Sequence, residues 1–146
     1  MTPEQINLVQ GTFVHIRPHA ETAAILFYTR LFTLDPSLRP LFTGNMQQQG
    51  AMLMRMLALA IEGLHHPGTL VAPLQALGQR HVGYGVCTRD YATVGAALLW
   101  TLEQVLGAQW SEETGAAWRA AYTLLATVMQ SASAQVVLPP AACVPA

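Results

Sequence analysis

Apolar residues recur at helical spacing along most of the chain. At the N-terminus, Thr2 is placed to cap a helix, Pro3 suits the first helical position, and apolar residues from Ile6 to Ile16 form a stripe. Further stripes and stop signals predict helical segments over residues 19–32, 35–42, 46–64, 91–106 and 111–136. Since no stretch alternates with a period of two, we expect no strands and an all-α protein.

Two of these segments should bury broad apolar faces. In the second helix, the residues expected on the buried face are Ile25, Leu26, Tyr28, Leu31 and Phe32. In the long helix that starts near residue 46, they are Met52, Leu53, Met56, Leu57, Ala60 and Ile61. Helices of such unequal length, without a repeat at a fixed period, do not suggest a four-helix bundle. They suggest an irregular helical sandwich built around a bound group.

A further short helix carries a histidine in its apolar stripe. Leu74, Leu77 and His81 recur at helical spacing, and the glycine-bearing stretch that follows would end the helix. A histidine on an apolar face is more often a hydrogen-bonded core residue than a ligand. The alternative is a ligand to haem iron, because haem is a flat apolar body that one histidine can anchor inside a helical sandwich.

Composition and charge exclude several classes of function. The 146 residues suffice for one domain, with 52% hydrophobic and 10% charged residues, against about 25% charged residues in an average soluble domain. The net charge of -1 provides no basic patch, so we expect no nucleic-acid partner. No apolar run approaches the ~18 residues of a membrane span, and the N-terminus lacks the features of a signal peptide. We expect a cytoplasmic protein.

The cysteines and the C-terminal tail complete the domain prediction. Cys87 and Cys143 are too few for a disulfide scaffold and lack the spacing of metal ligands, so we expect two free thiols in a reducing compartment. The proline-rich segment after Val137 cannot continue a helix. We expect one folded domain over residues 1–136 and a disordered tail over residues 137–146.

The first half of the chain resembles bacterial globins. The second and third helices of that family are similar to the sequence LFYTRLF at residues 26–32, to the Asp35-Pro36 pair, and to RPLF at residues 39–42. The order and spacing of these motifs are specific, although each motif is short. The resemblance implies a globin fold with haem b, iron protoporphyrin IX, as the cofactor.

The second half continues the resemblance. The proximal helix of the family and its exit are similar to GQRHVGYGV at residues 78–86 and DYATVG at residues 90–95, and the final helix to WRAAY at residues 118–122. The match covers roughly residues 3–133. It is a resemblance to single-domain bacterial globins, which are related to Vitreoscilla-type haemoglobin and to the haem domain of flavohaemoglobins.

On the proximal side, the resemblance makes His81 the only metal ligand that the chain supplies. A ligating imidazole needs its second ring nitrogen satisfied, and we expect the backbone carbonyl of Leu77 to accept that hydrogen bond. Tyr91 matches a tyrosine that supports the histidine in flavohaemoglobin-like relatives, and the supporting glutamate of those relatives falls on Ser133. Without that carboxylate, the resemblance favours reversible binding over oxygen activation.

On the distal side, the resemblance assigns Tyr28 and Gln49 as the polar pair that faces the iron-bound ligand. Gln49 is preferred over the two glutamines before it because Gln49, Leu53 and Leu57 share one helix face. Leu53 would close the pocket above the iron. Phe42 matches the phenylalanine that wedges against the haem face.

The remaining site residues are less specific. The apolar ones match haem-contacting positions of the family, although their pattern fits ordinary core positions equally well. They are Leu57, Leu77, Val86 and Val94. Arg80, next to His81, could pair with a haem propionate. We predict no catalytic residue.

Three functions fit this set of residues. The first is reversible binding of O2 at ferrous haem for storage or delivery, with CO and NO as further ligands. The second is nitric oxide dioxygenation, which would need a separate reductase because the chain has no flavin or nicotinamide module. The third is a haem-based or haem-free sensor module. The polar pair Tyr28 and Gln49 favours the first, because two hydrogen-bond donors would hold O2 tightly.

Overall fold

The computed structural model describes the backbone of residues 1–133 and the side chains as far as residue 131. This part of the chain forms six α-helices: α1 (Pro3–Ile16), α2 (Ala20–Leu34), α3 (Met46–Glu62), α4 (Val71–Gly83), α5 (Thr88–Leu106) and α6 (Glu112–Ser133). A 3-10 helix, Pro36–Leu41, lies between α2 and α3. The described residues contain no strand, so the all-α prediction is confirmed.

Side-chain caps set where the helices begin. At α1, the backbone N–H of Gln5 donates to the Thr2 hydroxyl and the Thr2 N–H donates to the Gln5 side chain, both at 3.1 Å, which confirms the predicted cap. At α5, the Cys87 N–H donates to the Asp90 carboxylate at 2.8 Å. The helix therefore begins at Thr88 and not at residue 91, because its cap lies upstream of its first apolar residue.

The hydrophobic core lies where α1, α2, α5 and α6 meet. α2 packs on α5, and α1 packs on α6. Trp118 of α6 is 2% exposed, and its indole Nε1 donates a 3.0 Å hydrogen bond to the hydroxyl of Thr12 in α1. This contact buries a large aromatic surface and satisfies the one polar atom of the indole, so it ties the first helix to the last.

The other two helices join the core through different neighbours, α3 through α2 and α4 through α6. At Gly50 in α3, an added Cβ would lie 2.8 Å from the Cβ of Ala24 in α2. At Gly78 in α4, an added Cβ would overlap the backbone carbonyl of Met129 in α6. Only glycine permits such close approach of two backbones. These contacts fix the helices that carry the predicted distal and proximal residues.

Two residues expected on buried faces lie on the surface. Ile25 is 62% exposed and Met52 is 54% exposed, so both predictions are wrong. The buried face of α3 runs through Gly50 and Leu57, and a residue two positions beyond Gly50 points to the other side of the helix. The buried residues of α2 lie on a face defined by Ala24, Phe27, Tyr28 and Leu31, which Ile25 flanks.

Cys87 is buried and takes part in a disulfide bond, so the prediction of a free thiol is wrong at this position. The prediction rested on the number and spacing of the cysteines, which do not report contacts made in the folded chain. Cys143 and the predicted tail, residues 137–146, lie outside the described residues. Within residues 1–133, no helix combines the length and the hydropathy that crossing a membrane requires.

Candidate functional site

Tyr28 lies on the buried face of α2, inside a cluster of aromatic rings. Its ring centroid is 4.9 Å from that of Phe27, 6.0 Å from that of Phe32 and 5.3 Å from that of Phe42. Burial raises the pKa of Tyr28 to about 12, and a side-chain hydrogen bond with Gln49 offsets part of the rise. The hydroxyl is therefore protonated at neutral pH and able to donate a hydrogen bond.

Gln49 reaches Tyr28 from the first turn of α3. This turn is fixed by Asn45, whose side-chain oxygen accepts hydrogen bonds from two backbone N–H groups at 2.8 and 3.1 Å. The close approach of Gly50 to Ala24 then brings the turn against α2. Gln49 is half-buried, whereas the two glutamines before it are exposed. Among the three consecutive glutamines, Gln49 is the one that the structure pairs with Tyr28.

Phe42 follows the 3-10 helix and faces the same aromatic cluster. The helix is capped by Asp35, which accepts the Ser37 N–H at 3.0 Å. The Phe42 ring is half-buried and its centroid lies 5.4 Å from that of Phe32. The structure thus brings Phe42, Gln49 and Tyr28 together from three separate segments.

His81 lies near the C-terminus of α4 and is half-buried. Burial lowers the pKa of His81, and the neighbouring charge of Arg80 lowers it further. The imidazole is therefore neutral at pH 7, the form that can ligate a metal. Its Nδ1 is buried and has no hydrogen-bond partner among the described residues. The predicted hydrogen bond from this nitrogen to the Leu77 carbonyl is therefore wrong, because the ring nitrogen does not reach any acceptor in the described residues.

Tyr91 lies beside His81, with the two ring centroids 6.3 Å apart. Burial raises the pKa of Tyr91, and its buried hydroxyl has no hydrogen-bond partner within the described part of the chain. Its backbone carbonyl accepts a 2.6 Å hydrogen bond from the hydroxyl of Tyr122 in α6. Tyr91 and His81 are therefore neighbours whose side chains share no hydrogen bond. The side chain at Ser133, the position of the family's glutamate, lies outside the described residues.

The exit from α4 depends on one glycine. Gly85 has φ of 90°, a conformation that side-chain-bearing residues rarely adopt. It lets the chain turn so that the Val86 N–H donates a 2.9 Å hydrogen bond to the backbone carbonyl of His81. Val86 is held one short turn away from His81 by this bond.

The other predicted contact positions lie on or against one hydrophobic core. Leu57 is buried, and four further residues are half-buried and packed against the core: Leu53, Leu77, Val86 and Val94. They come from α3, from α4 and its exit, and from α5. Arg80 is exposed, which places its charged group at the surface next to His81.

The family model described as Globin matches residues 25–129. The chain belongs to the globin family. A solved bacterial globin from Campylobacter jejuni superposes on this globin with a TM-score of 0.81 at 24% identity, covering 92% of this chain and 97% of that one. The predicted globin fold is therefore confirmed.

Relatives of this globin include flavohemoproteins. That of Bordetella pertussis is 34% identical over 132 residues, which cover 88% of this chain and 33% of that protein. That of Xylella fastidiosa is 32% identical over 137 residues, which cover 91% of this chain and 34% of that protein. The globin thus spans about a third of the length of these relatives.

Globins bind haem, and the residues present fit an iron porphyrin. A neutral imidazole suits an axial iron ligand. Half-buried apolar residues from three helices suit the faces of the ring, since packing against the core leaves them partly uncovered. His81 would hold the iron, and Phe42 with the apolar set would contact the porphyrin. The protonated phenol of Tyr28 adds a hydrogen-bond donor to an otherwise aromatic cluster.

Sequence reasoning missed the contacts of two residues of this site. Phe32 was expected only as core, yet it stacks on Tyr28, and the four-residue spacing of the two on one helix could have indicated this contact. Tyr122 belongs to the family motif at residues 118–122, and its hydroxyl also donates a hydrogen bond to the backbone carbonyl of Tyr91. No local pattern indicates a contact between positions 31 residues apart.

Proposed function

We propose that this globin binds O2 reversibly at ferrous haem b, with His81 as the proximal ligand and Tyr28 and Gln49 as distal donors. The observation that carries the proposal is the buried Tyr28 hydroxyl within an aromatic cluster, with the half-buried Gln49 side chain beside it. A buried hydroxyl paired with an amide, among apolar rings, suits the recognition of a small polar ligand. CO and NO are expected as further ligands.

Haem, when bound, supplies the iron at which a diatomic gas binds. The Tyr28 hydroxyl and the Gln49 amide can each donate a hydrogen bond to such a ligand, worth about 1 kcal/mol net. The rings of Phe27, Phe32 and Phe42 surround Tyr28, which is 7% exposed, so its hydroxyl competes little with solvent for a ligand. The distal residues would therefore slow the departure of a gas that carries partial negative charge.

The proximal residues favour binding over activation. His81 is kept neutral by burial and by Arg80. In the part of the chain that the structure describes, no acceptor pairs with its Nδ1, and an imidazole without a strong acceptor donates less electron density to a metal. We infer a proximal ligand that anchors the haem without promoting cleavage of a bound O2.

Further assignments belong to the same proposal. Leu53 would close the distal side, and the apolar haem contacts would be Leu57, Leu77, Val86 and Val94. Arg80, exposed beside His81, would pair with a propionate, and Tyr91 would support the proximal imidazole. We place the folded globin domain within residues 1–136 and the protein in the cytoplasm, where a gas carrier would serve respiration or detoxification.

Absorption spectra and O2 dissociation rates test this function. The purified globin should show a Soret band in its ferric, ferrous and oxygenated forms. Tyr28→Phe should raise the O2 dissociation rate about fivefold or more, the effect of losing one hydrogen bond. The matched control is Tyr84→Phe, at a tyrosine that is 62% exposed. An unchanged rate in Tyr28→Phe would contradict the distal assignment, and the lack of a Soret band after haem addition would favour a haem-free module.

Nitric oxide dioxygenation is the second candidate, favoured by the flavohemoprotein relatives. This globin spans about a third of their length, and in this candidate function a separate reductase would regenerate the ferrous iron. Mixing the oxygenated globin with NO, followed by addition of a reducing cell lysate, separates the two functions. Repeated turnover with regeneration of the ferrous form would support the enzyme, and a single stoichiometric reaction would support the carrier.

A further inference from the structure

Arg39 binds the corner between α2 and α3 through two contacts. Its Nη1 donates a 2.9 Å hydrogen bond to the backbone carbonyl of Phe42, and its guanidinium carbon lies 5.4 Å from the centroid of the Phe32 ring. The Phe42 N–H donates a 3.1 Å hydrogen bond back to the Arg39 carbonyl. Arg39 therefore links the end of the 3-10 helix to the last turn of α2.

The two residues that Arg39 holds form a triangle of rings with Tyr28. The Phe32 ring stacks on Tyr28 at 6.0 Å with an interplanar angle of 27°. The Phe42 ring meets Tyr28 edge-on at 5.3 Å and 69°, and meets Phe32 at 5.4 Å and 65°. Because close-packed rings cannot move independently, a displacement of Phe32 or Phe42 must also displace Tyr28.

Tyr28 and Arg39, at the two ends of this series of contacts, differ in solvent exposure. Tyr28 is 7% exposed, whereas Arg39 is at the surface. Arginine suits the surface position because its planar guanidinium can lie over a ring while one N–H donates to a carbonyl. A lysine ammonium is a point charge and does not combine the two contacts in the same way.

We propose that Arg39 is a positioning residue for the distal donor, and that it sets the direction of the Tyr28 hydroxyl by fixing the rings of Phe32 and Phe42. The proposal rests on the proposed gas-binding function, since the hydroxyl direction matters where a ligand accepts its hydrogen bond. Arg39 acts through the two phenylalanines and touches no reacting atom.

The test compares Arg39→Ala with Arg55→Ala, which removes an exposed arginine of α3. In the CO complex, the C–O stretching band reports the hydrogen-bond donor near the ligand. Arg39→Ala should split or shift this band and raise the O2 dissociation rate roughly fivefold, as for one weakened hydrogen bond. Arg55→Ala should leave both unchanged. An unchanged band and rate in Arg39→Ala would overturn the proposal.

A double mutant separates positioning from general loss of stability. If Arg39 acts through Tyr28, Arg39→Ala should have no further effect on the O2 dissociation rate in a Tyr28→Phe background. Equal effects in both backgrounds would overturn the proposal. Arg39→Lys should restore part of the wild-type rate, because a cation over Phe32 is kept while the bond to the Phe42 carbonyl is weakened.

A readout independent of gas binding distinguishes this proposal from the proposed function. In protein labelled at tyrosine ring carbons, the Tyr28 resonance can be assigned by its loss in Tyr28→Phe. Arg39→Ala should shift or broaden this resonance, whereas Arg55→Ala should not. If the purified protein takes up no haem, the function fails while the ring measurement still tests the link from Arg39 to Tyr28. An unmoved resonance overturns that link.

Discussion

The hydroxyl of Tyr122 donates a 2.6 Å hydrogen bond to the backbone carbonyl of Tyr91. The same ring packs on α5 at Gly95, where an added Cβ would lie 2.7 Å from its Cε2. Burial and the nearby Tyr91 raise the pKa of Tyr122, so the hydroxyl stays a donor at neutral pH. This contact joins α6 to the start of α5, next to the ring that neighbours His81.

Replacing this donor should weaken the fold. Tyr122→Phe removes one part-buried hydrogen bond between α6 and α5, so we expect the free energy of unfolding to fall by about 1 kcal/mol. Urea denaturation measures the change. Tyr84→Phe, at an exposed position, should stay within about 0.5 kcal/mol of the wild type. Equal stability of Tyr122→Phe and the wild type would contradict a structural role for the bond.

Gly78, where α4 contacts α6, should be the position of the proximal helix that tolerates substitution least. A methyl group there would overlap the backbone carbonyl of Met129. Backbone cannot move aside as a side chain can, so we expect Gly78→Ala to destabilise the protein by about 3 kcal/mol.

A glycine in open space provides the control for this prediction. Gly11 is exposed in α1 and has nothing within 4 Å of an added Cβ. Gly11→Ala should therefore stabilise the protein by about 0.5 to 1 kcal/mol through helix propensity. The two substitutions, compared by thermal or urea unfolding, should change stability in opposite directions. A neutral Gly78→Ala would mean that α4 and α6 can separate without loss.

The distal donor should stay protonated far into alkaline solution. A phenol in water is half ionised near pH 10, whereas burial raises the pKa of Tyr28 to about 12. The O2 dissociation rate should therefore be constant from pH 7 to pH 10, measured by rapid displacement with CO. Tyr28→Phe should give a faster rate that is also constant. A rate that climbs through pH 10 in the wild type would show that the phenol is more exposed than its cluster of rings implies.

His81 should make the haem-free globin less stable in acid. Its pKa is lowered from 6.5 by burial and then by Arg80, so the unfolded chain takes up a proton that the folded chain resists. Stability is therefore complete above pH 6.5 and decreases as the pH falls through the interval below it. Urea unfolding at pH 7.5 and pH 5.5 measures the loss, which should shrink in His81→Gln. His66→Gln, which replaces an exposed histidine, should retain the full loss of stability. Equal losses in the wild type, His81→Gln and His66→Gln would contradict the assignment of this loss to His81.

Local signals predicted much of this molecule. The cap at Thr2 and the apolar stripe of α1 depend on neighbours in sequence, and both were found where expected. The preference for Gln49 over the two glutamines before it also rests on a local signal, the spacing to Leu53 and Leu57, and it stays a prediction. The start of α5 was misplaced because its signal is polar, an Asp90 carboxylate bound to a backbone N–H.

Contacts between distant segments could not be predicted. Nothing in the sequence near Tyr91 indicates that Tyr122 binds its carbonyl, and spacing could not indicate that Cys87 is disulfide-bonded. The bond expected between His81 and Leu77 failed for a different reason. Helix geometry puts the carbonyl one turn away, but it does not decide whether the ring nitrogen can share it with the backbone N–H.

The dependence of α4 on α6 has a consequence for synthesis on the ribosome. The helix that bears His81 leaves the ribosome before α6, yet the surface against which Gly78 packs belongs to Met129 of α6 and its neighbours. During translation, α4 is therefore made before the helix on which it packs, whereas α2 and α3 can already pack together at Gly50 and Ala24. Stable capture of the proposed haem would then have to wait until α6 has left the exit tunnel.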